Sequence, residues 1–147
     1  MTADFDTAFR AIPTVTVGGL PIAVLDRAAA ADWMIRAARE RRRGQRPLYL
    51  TSANGEVLAR TASDPELATL IGDADQIVAD GQPLVLASRY RCRTALPERV
   101  ATTDLFHDVA RRAERQGVTF YMFGATPEEN DRAVANVRRT YPGLRLI

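Results

Sequence analysis

The chain contains no lysine: all twenty of its Lys+Arg positions are arginine, against eighteen Asp+Glu, for a formal charge of only +2. Genomic base composition accounts for such a bias, and it leaves every base permanently charged, since guanidinium does not deprotonate. Cys92 is the one cysteine, which excludes an internal disulfide and a Cys-rich metal site. His107 is the one histidine and argues against a His-based metal site or catalytic triad within this chain. No apolar run approaches the roughly 18 residues of a membrane span. The N-terminal MTADFDTAFRAIPTV carries two aspartates and no apolar centre, so it does not read as a secretory signal. A cytoplasmic protein is the expectation. A content of 46% hydrophobic and 26% charged residues is ordinary for a globular protein and argues against disorder. A length of 147 residues suits one domain with a sizeable core.

Residues 1–12 read as a loose N-terminal arm, and 13–147 as a single domain. PTVTVGGLPIAVL reads as two short strands around Gly18-Gly19, a hairpin. Asp26 is placed to cap a helix over 27–43, with Gly44 and Pro47 ending it. PLYLTSAN reads as a buried strand running into a polar loop, followed by a helix over 55–62. Ser63-Asp64-Pro65-Glu66 signals another helix start, with Ser63 as cap and an end near Gly72. Residues 74–79 form a short strand leading to Asp80-Gly81, and helical character resumes over 83–90. Thr103 or Asp104 is expected to cap DLFHDVARRAERQG, which stops at Gly117. VTFYMFG reads as a strand buried on both faces. Thr126-Pro127-Glu128-Glu129 opens a helix that Tyr141-Pro142-Gly143 ends, and LRLI begins a further strand. A chain closing on a strand just begun reads as the N-terminal portion of a longer domain.

Strands alternating with helices predict an α/β fold, a Rossmann-like parallel or mixed sheet flanked by helices behind the short hairpin. In such sheets ligands bind beyond the carboxyl ends of the strands. That rule selects the loops at 51–54, 79–81 and 123–126, which converge if their strands are neighbours. Asp80 at a strand tip could serve as general base on a hydroxyl, and apolar surroundings would raise its pKa toward that role. The plainer alternative is an Asp-Gly turn with Asp80 capping the next helix. Ser52 and Asn54 could hydrogen-bond a sugar or nucleotide, or simply cap a helix. Gly124 before a helix N-terminus would let a diphosphate approach, although Glu128 and Glu129 repel phosphate and suit a first turn anyway. The glycine fingerprint of hydride-transfer enzymes is not in place. Arg99 could clamp a phosphate or pair with Glu98. The arginines at 39, 41, 42, 43 and 46, and at 89, 91, 93 and 99, read as solvated faces or as a surface for anionic lipid. Nucleic acid is not expected, because no aromatics interleave them.

Read together, TSANGEVLARTASDPELATLIGDADQIVADGQPLV, PERVATTDLF and VTFYMFGATPEENDRAVANVRRTYPGLRLI resemble the WecG/TagA/CpsF family of bacterial glycosyltransferases, glycosyltransferase family 26. The family pattern runs through Thr-x-Asn-Pro-Glu, "ADLVVPDG", "ERVxGxDL" and "LGG…YPGL", in the same order and at similar spacing. The resemblance implies a metal-independent, inverting enzyme without a cofactor. It implies a UDP-sugar donor of the N-acetylmannosamine type, its uronic acid or a related hexose. The implied acceptor is a sugar on a polyprenol diphosphate, met by peripheral contact at the inner face of the plasma membrane. The implied pathway is synthesis of an exopolysaccharide or other surface glycan.

By position, Asp80 matches the family's proposed catalytic aspartate. Ser52 aligns with a pocket threonine if Asn54 anchors the register, and Thr51 competes for that place. Asn54 and Arg99 match pocket residues, and Gly81 and Gly124 join the substrate-binding set. This sequence departs from the pattern at Gly55 and Ala79, where prolines are usual, and at Thr102, where "RVxG" has glycine. The pattern also continues past Ile147, with a Gly-x-Pro-x-Gln-Glu segment and a basic C-terminal part. The alternative function is a non-catalytic nucleotide-sugar-binding or partner-docking α/β module. A second copy of the chain is a candidate cover for an open sheet edge.

Overall fold

In the computed structural model, residues 5–41 and 44–147 are described. The described residues form a mixed α/β fold that opens with α1 (Phe5–Arg10) and the hairpin strands β1 (Thr14–Val17) and β2 (Leu20–Ala23). Gly18 and Gly19 hold φ of +57° and +87°, the sign a two-residue antiparallel turn demands and side chains resist. A Cβ on Gly18 would sit 2.9 Å from the Leu58 side chain, so the turn lies tight against the next layer. The chain continues through α2 (Arg27–Glu40), β3 (Leu50–Ala53), α3 (Gly55–Ser63), α4 (Pro65–Gly72), β4 (Gln76–Ala79) and α5 (Gln82–Arg91). It finishes with α6 (Thr102–Gln116), β5 (Thr119–Phe120), α7 (Pro127–Thr140) and β6 (Arg145–Leu146).

β4 organises the interior. It runs parallel to β3, from Leu50↔Gln76 to Ala53↔Ala79, and all four of its residues are buried. Successive side chains of a strand point to opposite faces. Val78 joins a core built from α1, α2 and α6, with Ala30, Ala31, Ile35, Leu105 and Val109. Ile77 and Ala79 join a second core with Ile22 of the hairpin and Leu84, Val85 and Leu96 around α5. Helices therefore cover one face, and the hairpin with α5 covers the other.

Local capping signals set most helix boundaries. Asp26 Oδ1 accepts from Ala29 N at 2.7 Å and starts α2. Thr126 and Glu129 form a reciprocal capping box at α7. Gly117, at φ +67°, closes α6 as expected. Elsewhere the structure corrects the sequence reading. α2 stops at Glu40; Arg42 and Arg43, to which the predicted helix extended, lie outside the described residues. α4 is capped by Asp64, whose Oδ1 accepts from Leu67 N, while Ser63 stays in α3 and donates back to Ala59 and Arg60 carbonyls. Neither Thr103 nor Asp104 caps α6; its N-cap residue is Ala101, without a side-chain bond of its own.

Two larger differences concern packing. The predicted loose arm is helical from Phe5 to Arg10, with Phe5 and Phe9 buried against Trp33; its first four residues lie outside the described residues. Arg10 reaches Asp75 at 2.7 Å, and Gln76 Nε2 donates to Phe9 O at 2.7 Å, tying α1 to the start of β4. VTFYMFG is not a strand buried on both faces. Only Thr119 and Phe120 are extended, paired parallel with β6, and this pair shares no ladder with β3–β4. Tyr121 and Phe123 are 71% and 91% exposed, since no strand among the described residues pairs over them.

Candidate active site

The carboxyl ends of β3 and β4 lie side by side, because Asp80 N extends their ladder by donating to Ala53 O at 2.9 Å. The chain after α5 is drawn back over this edge. Leu96 N donates to the buried Ser88 Oγ, and Val100 N donates to Ala79 O at 2.7 Å. That return sets Arg99 and the first turn of α6 above Asp80.

The Asp80 carboxylate is held on both oxygens. Oδ2 accepts from Thr102 N at 3.2 Å and from Thr102 Oγ1 at 2.8 Å. Oδ1 faces Arg99 Nε at 3.4 Å. Ser52 Oγ lies 3.1 Å from Thr102 Oγ1, so one hydrogen-bonded chain joins β3, α6 and β4. The sequence reading expected apolar surroundings to raise the Asp80 pKa. Burial does push it up and is the largest single influence, but the Thr102 hydroxyl, the Thr102 N–H and Arg99 together outweigh it and hold the carboxyl below the ordinary aspartate value. Asp80 lies over the N-terminus of α6, where a negative charge is also favoured by the helix dipole.

The other predicted residues divide into two groups. Asn54 caps α3 through Oδ1, which accepts from Val57 N at 3.0 Å. A Cβ on Gly81 would come within 3.6 Å of Asn54 Cα, so these two loops touch. Thr51 and Ser52 line a cavity of about 300 Å³ with Val78, Thr102, Phe106 and Phe120, and Ser52 alone of the two is bonded into the Asp80 chain. Gly124 belongs to a different sheet edge. It lines a hollow with Thr126 and Asn130, and its carbonyl accepts from Asn130 Nδ2 at 3.2 Å. A third hollow shares Thr102 and Phe106 with the first and Met122 with the second. His107 lines this third hollow, exposed, with Nδ1 2.7 Å from the Tyr141 hydroxyl. Among the described residues, no three His, Cys, Asp or Glu side chains are grouped as a metal ion would need.

Sequence reasoning missed the partnership of Thr102 with Asp80. The one signal in the sequence was the departure from glycine at Thr102, which puts a hydroxyl at the start of α6; Thr103 and Asp104, both capping residue types, masked the need for an acceptor from elsewhere.

The sequence model of the glycosyl transferase WecG/TagA/CpsF family matches residues 15–147. The chain belongs to that family. Membership assigns it glycosyltransferase activity in cell-surface polysaccharide synthesis, and suggests a nucleotide-sugar donor and a lipid-linked acceptor. Asp80, with the hydroxyl and guanidinium groups around it, is then the transferase's candidate active site. Among the described residues no helix of the transferase is long and apolar enough to cross a membrane.

Proposed function

We propose that this transferase moves a hexose, of the N-acetylmannosamine type, its uronic acid or a related sugar, from a UDP-sugar to a polyprenol-diphosphate-linked sugar, with inversion. The observation that carries the reading is the Asp80 carboxylate at the end of β4, oriented by Thr102 and flanked by Arg99. The acceptor hydroxyl oxygen forms a bond to the anomeric carbon. The bond from that carbon to the diphosphate oxygen breaks, and its electron pair leaves with UDP. The hydroxyl proton passes to Asp80.

A depressed pKa makes Asp80 a weak base in the free protein. The Arg99 guanidinium is half exposed, only 3.4 Å from Oδ1, and matched to a phosphate oxygen. A diphosphate that draws Arg99 away removes one of the interactions lowering the Asp80 pKa, so substrate binding strengthens the base. The hollows that share Thr102, Phe106 and Met122 offer an extended donor room along the strand ends, and the Asn54 amide, whose Oδ1 accepts from Val57 N, keeps its NH₂ donors for a sugar hydroxyl. UDP release from a panel of UDP-sugars, with and without a short-chain polyprenol-diphosphate sugar, tests the reading. Release that needs both acceptor and Asp80 supports it; release indifferent to the acceptor overturns transfer to that class.

Peripheral contact with the inner face of the plasma membrane is part of the same proposal. α5 begins two residues after Asp80, and its outer face presents Leu86, Arg89 and Tyr90, while the exposed Arg93 lies just past the end of the helix. Leu86 is 44% and Tyr90 86% exposed. No acidic residue occurs from Gln82 to Pro97. Each arginine near an anionic bilayer contributes about 1 kcal/mol. Arg89→Glu with Arg93→Glu should therefore weaken sedimentation with phosphatidylglycerol vesicles by at least roughly tenfold. Equal binding of both proteins would remove α5 from the contact.

A further inference from the structure

We propose that Thr102 is a positioning residue for the reaction: its hydroxyl and backbone N–H lock Asp80 Oδ2, tie it to Ser52, and leave Oδ1 as the oxygen that receives the acceptor's proton. The inference rests on the reading of Asp80 as general base and names the group that aims it.

The two carboxylate oxygens are unequally engaged. Oδ2 takes two hydrogen bonds from a single residue, at 3.2 and 2.8 Å, and these fix the rotation of the carboxylate plane. Oδ1 faces one partner, Arg99 Nε, at a long 3.4 Å. The Thr102 hydroxyl has one hydrogen, and it goes to Asp80. The 3.1 Å contact with Ser52 is therefore donated by Ser52, which points the Ser52 hydroxyl inward from the end of β3. Three elements that meet at the strand ends are thus held by one chain of donors running Ser52 to Thr102 to Asp80.

Thr102 is the first residue of α6, and no side chain from α6 or its N-cap residue closes that helix. Asp80 supplies the acceptor that a capping residue would otherwise provide, so the helix N-terminus and the carboxylate position one another. A glycine here, as in the "RVxG" pattern, would keep the N–H contact and lose both hydroxyl contacts. The hydroxyl arm of the clamp therefore depends on the residue this chain carries at 102.

Thr102→Val removes the hydroxyl while keeping the branched shape and the N–H; Thr102→Ser restores the hydroxyl. Two readouts separate aim from mere structure. The first is the Asp80 carboxyl titration followed by carbon-13 NMR in the free protein. The second is the pH dependence of transfer. In Thr102→Val the titration midpoint of Asp80 should rise, and the acid limb of kcat should move to higher pH with it. At the optimum, kcat should still fall, by about tenfold, with KM for the donor little changed, because a carboxylate free to rotate loses more in alignment than it gains in basicity. Thr102→Ser should return all of these to wild-type values. An Asp80 titration identical in Thr102→Val and wild type overturns the proposal. So does a loss confined to KM, or a failure of serine to restore the profile. If Asp80→Asn transfers as well as wild type, the base reading fails instead, and the NMR titration still decides whether Thr102 holds the carboxylate.

Discussion

Asp80→Asn should lower transfer by about 10²–10⁴-fold, the range that a positioned general base contributes. The amide is nearly isosteric, and its oxygen can still accept from Thr102, so the fold should survive by circular dichroism. What it lacks is a lone pair basic enough to take the hydroxyl proton. Its NH₂ group would also face Arg99, donor against donor, where the carboxylate has an attractive partner at 3.4 Å. Turnover within a few-fold of wild type would leave Asp80 as the cap of α6 and nothing more. The same substitution has a pH signature. The folded-state pKa of Asp80 is depressed, so its contribution to stability is fully present above the ordinary aspartate value. It is lost as pH falls through the lower folded value. Wild type should therefore lose an increment of stability in acid that the Asn variant has already lost at neutral pH.

Phe9→Ala should destabilise the fold by about 3–5 kcal/mol, the usual cost of emptying a buried phenylalanine site. Domains of this kind are typically stable by about 5–15 kcal/mol in total, so the variant would be close to unfolding on warming. α1 has six residues and, isolated, is far too short to persist. Its existence depends on what it buries. The Phe9 ring lies 6.1 Å from Phe5 and meets Trp33 edge-on at 5.7 Å, while Arg36 stacks over Phe5 and Trp33. Emptying that site would also weaken the Arg10–Asp75 and Gln76–Phe9 links that hold α1 to β4. Urea unfolding of the two proteins checks this, and a difference below about 1 kcal/mol would contradict the docking of α1 seen here.

How much of this was legible depends on how local each cause is. Asp26, Thr126 with Glu129, and Gly117 act within one helical turn, and each was read correctly from the sequence. The general rule for strand ends selected the loops at 51–54, 79–81 and 123–126 but left open whether they meet; β3 and β4 are neighbours, which joins the first two, while the third lies at a separate sheet. The N-terminal arm was misread because aromatic spacing over six residues is too short to reveal a docking partner, Trp33, more than twenty positions away. VTFYMFG shows the opposite error: an apolar run records a capacity for burial, and says nothing of whether a neighbouring strand is there to cover it. The Asp80 environment was misjudged for a tertiary reason. Its decisive donors come from a residue 22 positions further on, and a burial argument alone has the sign reversed.

The burial of β4 between two cores bears on how the chain comes apart. Neither core is complete without this strand: Val78 closes one, and Ile77 and Ala79 close the other. Loosening either core strips one wall from the strand and exposes the other to water. The two halves should therefore lose structure together, in one cooperative step, with no stable half-molecule between. Amide hydrogens of β4 should be the slowest in the chain to exchange with deuterium, matching the free energy of global opening, while those around Tyr121 and Phe123 exchange early. Exchange in β4 faster than in the α2–α6 pair would show the helical core standing by itself.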